Sequence, residues 1–357
     1  MILAGDIGGT NCRLALYETA TAVTQRTPSY VLKLKIADFA HQDGWKHAIQ
    51  TFLQHCKIKQ SKRVIQQVCL GMAGPISEKL KLGRVCTLIN VSHREGWTIS
   101  EFALGEMFDC QPNRAFIIND MEAIAYAIPM LQADELIDLN PKANPQIGNQ
   151  ALIAAGTGLG ELLLYWDRVR QAHLPSASEG GHSDFAPRTE QQWQLWQYVR
   201  DLQLDADCPN CIVWERLVSG SGLVKIYQFL WHAQHGSNAS PIDKLAEAAA
   251  YITDTALSNK DAISVDALTL FMQLYGAEAG NLALKYWAVN GVFIGGGIAP
   301  KIWNQDQGNA FFDVFMQSFT NKEDVYAEKN AMMPVKMILN TDIGLLGAAQ
   351  CTISNNN

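Results

Sequence analysis

A glycine-rich turn near the start of the chain has the residue types that bind phosphate groups. The segment reads Gly5-Asp6-Ile7-Gly8-Gly9-Thr10-Asn11 and joins two apolar stretches. Phosphate oxygens need closely spaced N–H donors, and glycine lets the backbone approach them without a Cβ in the way. Thr10 and Asn11 add side-chain donors, and the Asp6 carboxylate is suited to hold Mg²⁺ directly or through water. A plain hairpin with a glycine turn is the alternative interpretation. The segment is not a Walker loop, because the lysine of that loop is missing.

Two further glycine-rich segments occur later in the chain. A second turn reads Gly156-Thr157-Gly158-Leu159-Gly160, and together with the first it predicts a phosphate clamp with two sides. The run Gly295-Gly296-Gly297 follows an apolar stretch and would let a flat group such as adenine lie against the backbone. Close packing of a strand on a helix is the alternative interpretation of this run.

An acid follows another apolar stretch at Asn119-Asp120. A carboxylate at the end of a buried strand is partly desolvated and held in one direction. It is suited to act as a general base that takes a proton from an attacking hydroxyl group. The alternative is an ordinary helix N-cap, because Asp120 precedes a predicted helix.

A polar cluster, Glu179-Gly180-Gly181-His182, has the groups that bind sugars. Carboxylate and imidazole groups satisfy sugar hydroxyls, and the glycines allow the chain to approach a ligand closely. A solvated turn and a metal pair are the alternatives, but a metal site needs more ligands. By its spacing alone, Glu215 is a charge on a helix surface. Cys208-Pro209-Asn210-Cys211 is a lone CxxC pair, for which we expect two incidental thiols in a loop.

The elements that must position these residues alternate between strands and helices. Predicted strands are Ile2–Gly5, Cys12–Tyr17, Tyr30–Ile36, Gln67–Gly71, Ala115–Ile118, Ala151–Ala155, Glu161–Trp166, Val292–Gly295 and Val335–Leu339. Predicted helices are Trp45–Cys56, one capped by Thr98 or Ser100 and ending near Phe108, Glu122–Met130, Gln191–Arg200, Leu217–Gln234, Pro241–Leu257, Val265–Val289 and Ile343–Cys351. The spacing of apolar residues and the capping residues indicate these bounds.

The two halves of the chain resemble each other. Ile2–Thr10 has a counterpart in Leu152–Gly160, and Cys69–Pro75 has one in Ile294–Pro300, in the same order. The repeat predicts two related α/β domains that face a cleft, where ligand sites are common. We expect a smaller domain at residues 1–130 plus 340–357 and a larger one at 131–339.

Composition narrows the class of protein. The chain has 357 residues, 48% of them hydrophobic and 18% charged, with a formal net charge of -7. A nucleic-acid binder usually has a basic surface, so we expect no nucleic-acid partner. Apolar runs are too short for a membrane span, and no secretory signal opens the chain. A cytoplasmic enzyme is therefore expected.

These motifs, in this order, resemble those of bacterial-type glucokinase, within the hexokinase and actin-like ATPase superfamily. The resemblance covers nearly the whole chain. It includes both phosphate turns, Ile118-Asn119-Asp120, the stretch Glu179–Pro187, Glu215–Gly220, Gly291–Ile298 and Asp342–Ala348. It implies two actin-like ATPase (ribonuclease H-like) α/β domains around a central cleft.

The resemblance also implies a function and a set of roles. The activity would be ATP- and Mg²⁺-dependent phosphorylation of glucose at the 6-hydroxyl, the first step of glycolysis, by a homodimer. Glucose would be bound by Asn119, Asp120, Glu179, His182 and Glu215, with Asp120 as the base. Asn90 lies in a segment similar to a family loop near the sugar. Gly295-Gly296-Gly297 would contact adenosine.

The chain departs from the family pattern at a few positions. Glu161 follows the second phosphate turn, where a small or apolar residue is usual, and would place negative charge near the phosphates unless it points away. The loop that ends at Trp97 is extended by His93-Arg94-Glu95-Gly96, so we expect sugar selectivity to differ from that of the family. A kinase for another hexose or N-acyl sugar and a catalytically weak sugar sensor are the alternative functions. ADP and polyphosphate are alternative phosphoryl donors.

Overall fold

The computed structural model describes residues 1–39, 41, 43–57, 65–88, 96–111, 113–202, 208, 210–236, 239–303 and 308–355. The chain divides into two compact units. The first comprises Met1–Gln132 and Asp342–Asn357, and the second comprises Ala133–Thr341. Within the part of the chain that the structure describes, no helix has the length and apolar character needed to cross a membrane.

Strands alternate with helices along both units. The strands are β1 (Ile2–Ile7), β2 (Asn11–Tyr17), β3 (Tyr30–Lys35), β4 (Gln67–Met72), β5 (Ile76–Lys79), β6 (Gly83–Leu88), β7 (Trp97–Ser100), β8 (Ala115–Asn119), β9 (Leu136–Asp138), β10 (Gln150–Ala155), β11 (Leu159–Asp167), β12 (Ala172–Ala177), β13 (Gly291–Gly295) and β14 (Val335–Ile338). The α-helices are α1 (Ala20–Thr24), α2 (Gly44–His55), α3 (Glu101–Phe108), α4 (Asp120–Ala127), α5 (Glu190–Asp201), α6 (Gly220–His235), α7 (Ala248–Leu257), α8 (Ala262–Tyr286), α9 (Ile298–Trp303), α10 (Gly308–Thr320), α11 (Asp324–Ala331) and α12 (Ile343–Ser354).

The main sheets of the two units repeat one strand order. The first sheet runs β3-β2-β1-β4-β8, and the second runs β12-β11-β10-β13-β14, with β9 added at its edge. In each sheet an antiparallel hairpin, β1–β2 or β10–β11, is followed by parallel strands. The mixed α/β class and the internal repeat predicted from the sequence are confirmed.

Most predicted elements are present with bounds shifted by a few residues. The helix expected at Pro241–Leu257 is partly wrong, because it begins at Ala248. Residues before it form turns, in which Asp243 Oδ2 accepts from the Ser240 N–H at 2.8 Å. The antiparallel sheet of β5, β6 and β7 was not predicted from the sequence. Its short strands carry little of the apolar periodicity from which strands are read.

Small residues let helices pack closely over the first sheet. α12 packs against α4, and Ala123, Ala348 and Ala349 belong to one buried apolar cluster with β1 and β4. A Cβ at Gly347 would overlap the carbonyl oxygen of Ala123. The close approach of α12 to α4 therefore requires glycine at this position.

Substituting Gly347→Ala tests this packing. The new methyl group should force the helices apart and lower the free energy of unfolding by about 1–3 kcal/mol. Gly105→Ala is the matched control, since a Cβ there would lie 3.7 Å from the Cβ of Ala115. The control should be neutral or more stable by about 0.5–1 kcal/mol, because glycine weakens a helix interior. Urea-induced unfolding measures both, and equal midpoints for the two variants would contradict the packing.

Candidate active site

The register of the parallel strands brings two predicted site segments of the first unit to one edge of its sheet. Ile7 pairs with Met72, and Met72 pairs with Asn119. The glycine turn after β1 and the Asn119-Asp120 step after β8 thus leave the sheet at the same level. In α/β sheets, the carboxyl ends of parallel strands are where ligands bind.

The exposed part of the first glycine segment is its second half. Gly5 and Ile7 are buried in β1, whereas Gly9 and Thr10 are exposed. The N–H of Gly8 donates to the carbonyl oxygen of Asn11 at 2.9 Å, which closes the turn. A Cβ at Gly5 would lie 2.5 Å from Leu70 Cδ2. Gly5 therefore packs closely against Leu70, and the residues from Gly8 to Asn11 are the more accessible part of the segment.

Asp6 is held beside an arginine and the start of α12. Arg13 Nη1 lies 3.8 Å from Asp6 Oδ2, and the same guanidinium nitrogen contacts Asp342. A Cβ at Gly344 would lie 3.3 Å from Asp6 Cγ. Burial raises the pKa of Asp6; the charge of Arg13 opposes the shift, and that of Asp342 adds to it.

A capping box orients the Asn119-Asp120 step. The Glu122 N–H donates to Asn119 Oδ1 at 2.6 Å, and the Asn119 N–H donates to Glu122 Oε2 at 2.9 Å. Asn119 is therefore the N-cap of α4, and the alternative that Asp120 caps the helix is wrong. Asp120 is the first residue of the helix, and its side chain is exposed.

A partly buried ion pair supports the capping box from a neighbouring sheet. Arg84 Nη2 donates to Glu122 Oε2 at 2.7 Å. Glu101 accepts from the Arg84 N–H at 3.0 Å and from the Ile117 N–H at 3.1 Å, and so joins β6 to β8. Sequence reasoning missed these residues. The spacing of Asn119 and Glu122 is itself the capping-box signal, but no local pattern identifies Arg84.

In the second unit, the carboxylate of Glu215 holds the glycine turn that precedes β11. Glu215 Oε2 accepts from the Leu159 N–H at 2.9 Å, and a Cβ at Gly158 would overlap this carboxylate. The Gly220 N–H donates to the Gly156 carbonyl oxygen at 2.9 Å. The interpretation of Glu215 as a surface helix charge is wrong, because the side chain is partly buried and bonded to the turn.

The triple glycine lies beside the same turn. Ala154 pairs with Gly295 across parallel strands. Gly296 has φ of 82°, and a Cβ there would overlap the Ala155 carbonyl oxygen. A Cβ at Gly297 would meet no atom within 4 Å. Packing therefore explains Gly296, and open space remains at Gly297.

The Glu179–His182 turn is paired with the segment that carries Glu215. Gly180–His182 forms a short 3₁₀ helix, with the side chains of Glu179 and His182 exposed. The Trp214 N–H donates to the Ser183 carbonyl oxygen at 3.1 Å, and the Phe185 N–H donates to that of Ile212 at 2.7 Å. These backbone bonds bring together two segments that lie about thirty residues apart in the chain.

A glucokinase family profile matches residues 3–355. The chain belongs to the glucokinase family. A Nostoc punctiforme glucokinase is 34% identical over an alignment of 368 positions, which covers 98% of this chain and 98% of its own. A Psychromonas ingrahamii glucokinase is 34% identical over 346 residues, covering 97% of this chain and 95% of its own. The solved glucokinase of an Antarctic psychrotroph matches with a TM-score of 0.76 at 28% identity, covering 99% of this chain and 98% of the other.

Family membership confirms the recognition made from the motifs, and the fold class of two actin-like ATPase units is confirmed as well. The chain is a glucokinase-family enzyme that transfers a phosphoryl group from ATP to glucose. The alternative of a catalytically weak sensor is not favoured.

The expectations for Asn90 and for the cysteine pair are not confirmed in this glucokinase-family chain. Asn90 lies outside the described residues. The sulfur atoms of Cys208 and Cys211 form a disulfide, so the expectation of two incidental thiols is wrong. Pairing of cysteines three residues apart depends on loop conformation, which the spacing alone does not determine.

Substituting Glu122→Ala tests how Asp120 is positioned. The change removes half of the capping box and the partner of Arg84, so unfolding should require about 1–3 kcal/mol less free energy. Glucose turnover should fall as well, because Asp120 begins the same helix turn. Glu106→Ala removes an exposed acid of α3 and is the control, with an expected change within about 0.5 kcal/mol. A Glu122→Ala enzyme with the stability and turnover of this control would rule out the support.

Proposed function

We propose that Asp120 is the general base that accepts the proton of the glucose 6-hydroxyl during phosphoryl transfer from ATP. The observation that carries this proposal is the register Ile7–Met72–Asn119, which sets Asp120 and the exposed glycine turn at one edge of a parallel sheet. A base and phosphate-binding N–H groups are the parts that phosphoryl transfer requires. The capping box supports the assignment, because it holds the backbone of Asp120 in one orientation.

The glycine segments are proposed to bind the ATP phosphates and adenosine. Gly9, Thr10 and Asn11 would supply donors from the first unit, with Gly5, Ile7 and Gly8 shaping the turn. Thr157 and Gly158 would supply donors from the second unit, with Gly156 closing the turn through its N–H bond to the Gly158 carbonyl oxygen. Gly295, Gly296 and Gly297 would lie along adenosine, and the open space at Gly297 supports this.

Asp6 is proposed to hold Mg²⁺, either directly or through a water molecule. Among the described residues, no group of three or more His, Cys, Asp and Glu side chains could hold a metal ion. One partly exposed carboxylate fits Mg²⁺ nonetheless, because this ion takes one or two carboxylates together with phosphate oxygens and water. Bound Mg²⁺ would neutralise charge on the phosphates. Arg13 would keep the Asp6 side chain oriented toward that position.

Glucose is proposed to be bound by Asn119, Asp120, Glu179, His182 and Glu215, with Asn90 as a further contact. The exposed side chains of Glu179 and His182 and the pairing of their segment with that of Glu215 support this set.

We further propose a cytoplasmic homodimer that acts in the first step of glycolysis, on the strength of the family. The units would correspond to domains at residues 1–130 with 340–357 and at 131–339.

Asp120→Asn tests the base. The amide cannot accept the proton, so kcat should fall by about 10²–10⁴-fold, with a smaller change in KM for glucose. Asp109→Asn, an exposed substitution in the same unit, is the control and should keep the parent turnover. A coupled assay for glucose 6-phosphate measures both. Turnover of Asp120→Asn within a few-fold of the control would eliminate this role.

Glu179→Gln tests the sugar site. Loss of the charged acceptor should raise KM for glucose by about tenfold or more while KM for ATP stays unchanged. Glu190→Gln, an exposed change in α5, is the control. An assay that measures ADP release, run with fructose and N-acetylmannosamine in place of glucose, tests the alternative acceptors. An unchanged KM for glucose would remove Glu179 from the proposed set.

A further inference from the structure

Glu161 is a buried acid in β11, directly after the second glycine turn. Its residue is 1% exposed, and Oε1 has no hydrogen-bond partner. A buried carboxylate oxygen without a partner is costly, whereas an apolar side chain at this position would avoid that cost. The sequence predicts negative charge near the phosphates unless the Glu161 side chain points away from them. In the structure the side chain packs against the turn that contains Gly180.

That segment is the turn that carries Glu179 and His182. A Cβ at Gly180 would overlap Oε2 of Glu161 and lie 3.0 Å from its Cδ. A Cβ at Gly181 would overlap the Leu159 carbonyl oxygen. The turn thus rests on the first residues of β11, with the carboxyl group of Glu161 directly behind Gly180.

We propose that Glu161 is a positioning residue for sugar binding, whose carboxyl group supports the Gly180 backbone and so sets where Glu179 and His182 meet the sugar. Glu161 acts through the turn and does not touch the sugar itself. This inference rests on the proposed function, because it takes Glu179 and His182 as sugar ligands.

The surroundings of Glu161 favour its neutral form. Burial raises the pKa of Glu161 to about 7, with the charge of Glu278 adding to the shift and that of Lys285 opposing it. Glu278 is fully buried and already accepts from Lys285 Nζ at 2.8 Å and from Asn281 Nδ2 at 2.8 Å. Lys285 is therefore engaged by Glu278.

Other titratable groups of α8 and its neighbours also face this cluster. Burial raises the pKa of Tyr275, whose hydroxyl accepts from the Ala155 N–H at 3.2 Å. Burial lowers the pKa of Lys322 to about 7, and the charge of Arg188 adds to that shift. Lys322 thus titrates in the same range as Glu161, so an experiment must separate the two groups.

The experiment measures glucose binding by isothermal titration calorimetry at pH 6 and pH 8.5. In the parent enzyme, ionisation of Glu161 should disturb the turn and weaken binding by about three- to tenfold at the higher pH. Glu161→Gln mimics the neutral carboxyl group and should bind glucose almost equally at both pH values. Glu247→Gln, an exposed change before α7, should keep the parent pH dependence. A parent-like pH dependence in Glu161→Gln would assign the effect to Lys322 or another group and overturn the inference.

Thermal unfolding provides a readout that does not involve glucose. The folded-state pKa of about 7 lies above the ordinary value of 4.5. The stability that the protonated group contributes is thus complete below pH 4.5 and is lost as the pH rises through 7. The Tm of Glu161→Gln minus the Tm of the parent should therefore increase between pH 5 and pH 8.5. A Tm difference that does not change with pH would contradict the ionisation of a buried Glu161.

A double-mutant cycle tests the contact itself. Gly180→Ala should weaken glucose binding by about tenfold, because its methyl group displaces the turn from Glu161. Combining Gly180→Ala with Glu161→Ala removes the most severe overlap, leaves Ser178 Oγ at 3.0 Å as the remaining close neighbour, and should restore most of the affinity. Additive losses would refute the packing contact.

Glu179→Gln distinguishes failure of this inference from failure of the proposed sugar site. If Glu179→Gln leaves glucose affinity unchanged, the sugar assignment fails, and the inference fails with it. If Glu179→Gln weakens binding while Glu161→Gln keeps the parent pH dependence and the cycle is additive, the inference alone fails.

Discussion

Backbone hydrogen bonds between parallel strands hold Ile7, Met72 and Asn119 at one level of the first sheet. A shift of one residue in this register would turn each strand's side chains to the opposite face. The buried faces of β1 and β4 prevent such a shift, because both strands are apolar and packed. The position of Asp120 relative to the exposed glycine turn therefore depends on the packing of the sheet core.

The second unit repeats this constraint with β10 and β13, whose register sets Gly296 against the Ala155 carbonyl oxygen. Glycine has a different purpose at different positions within these segments. At Gly5 and Gly296 it permits the backbone and neighbouring atoms to pack closely. At Gly297 the space that a Cβ would occupy is open, which leaves the backbone accessible to a ligand.

Carboxylates packed on glycines recur in the proposed site. Glu215 lies on Gly158, Glu161 lies on Gly180, and Asp6 lies beside Gly344. In each pair the missing side chain of glycine lets an acid approach backbone of another segment. Acids held in this way are partly desolvated, and burial raises the pKa of both Asp6 and Glu161. The same packing therefore influences geometry and protonation together.

The sequence by itself determined the glycine turns, most strands and helices, the repeat and the family. These features are local, because turn residues and apolar periodicity act over a few neighbouring positions. Only the tertiary structure decided that Glu215 binds the Leu159 N–H and that Arg84 supports Glu122. It also decided that the Glu161 side chain points toward Gly180. These contacts join residues far apart in the chain, and their partners are selected by how strands and helices pack, which local spacing does not encode.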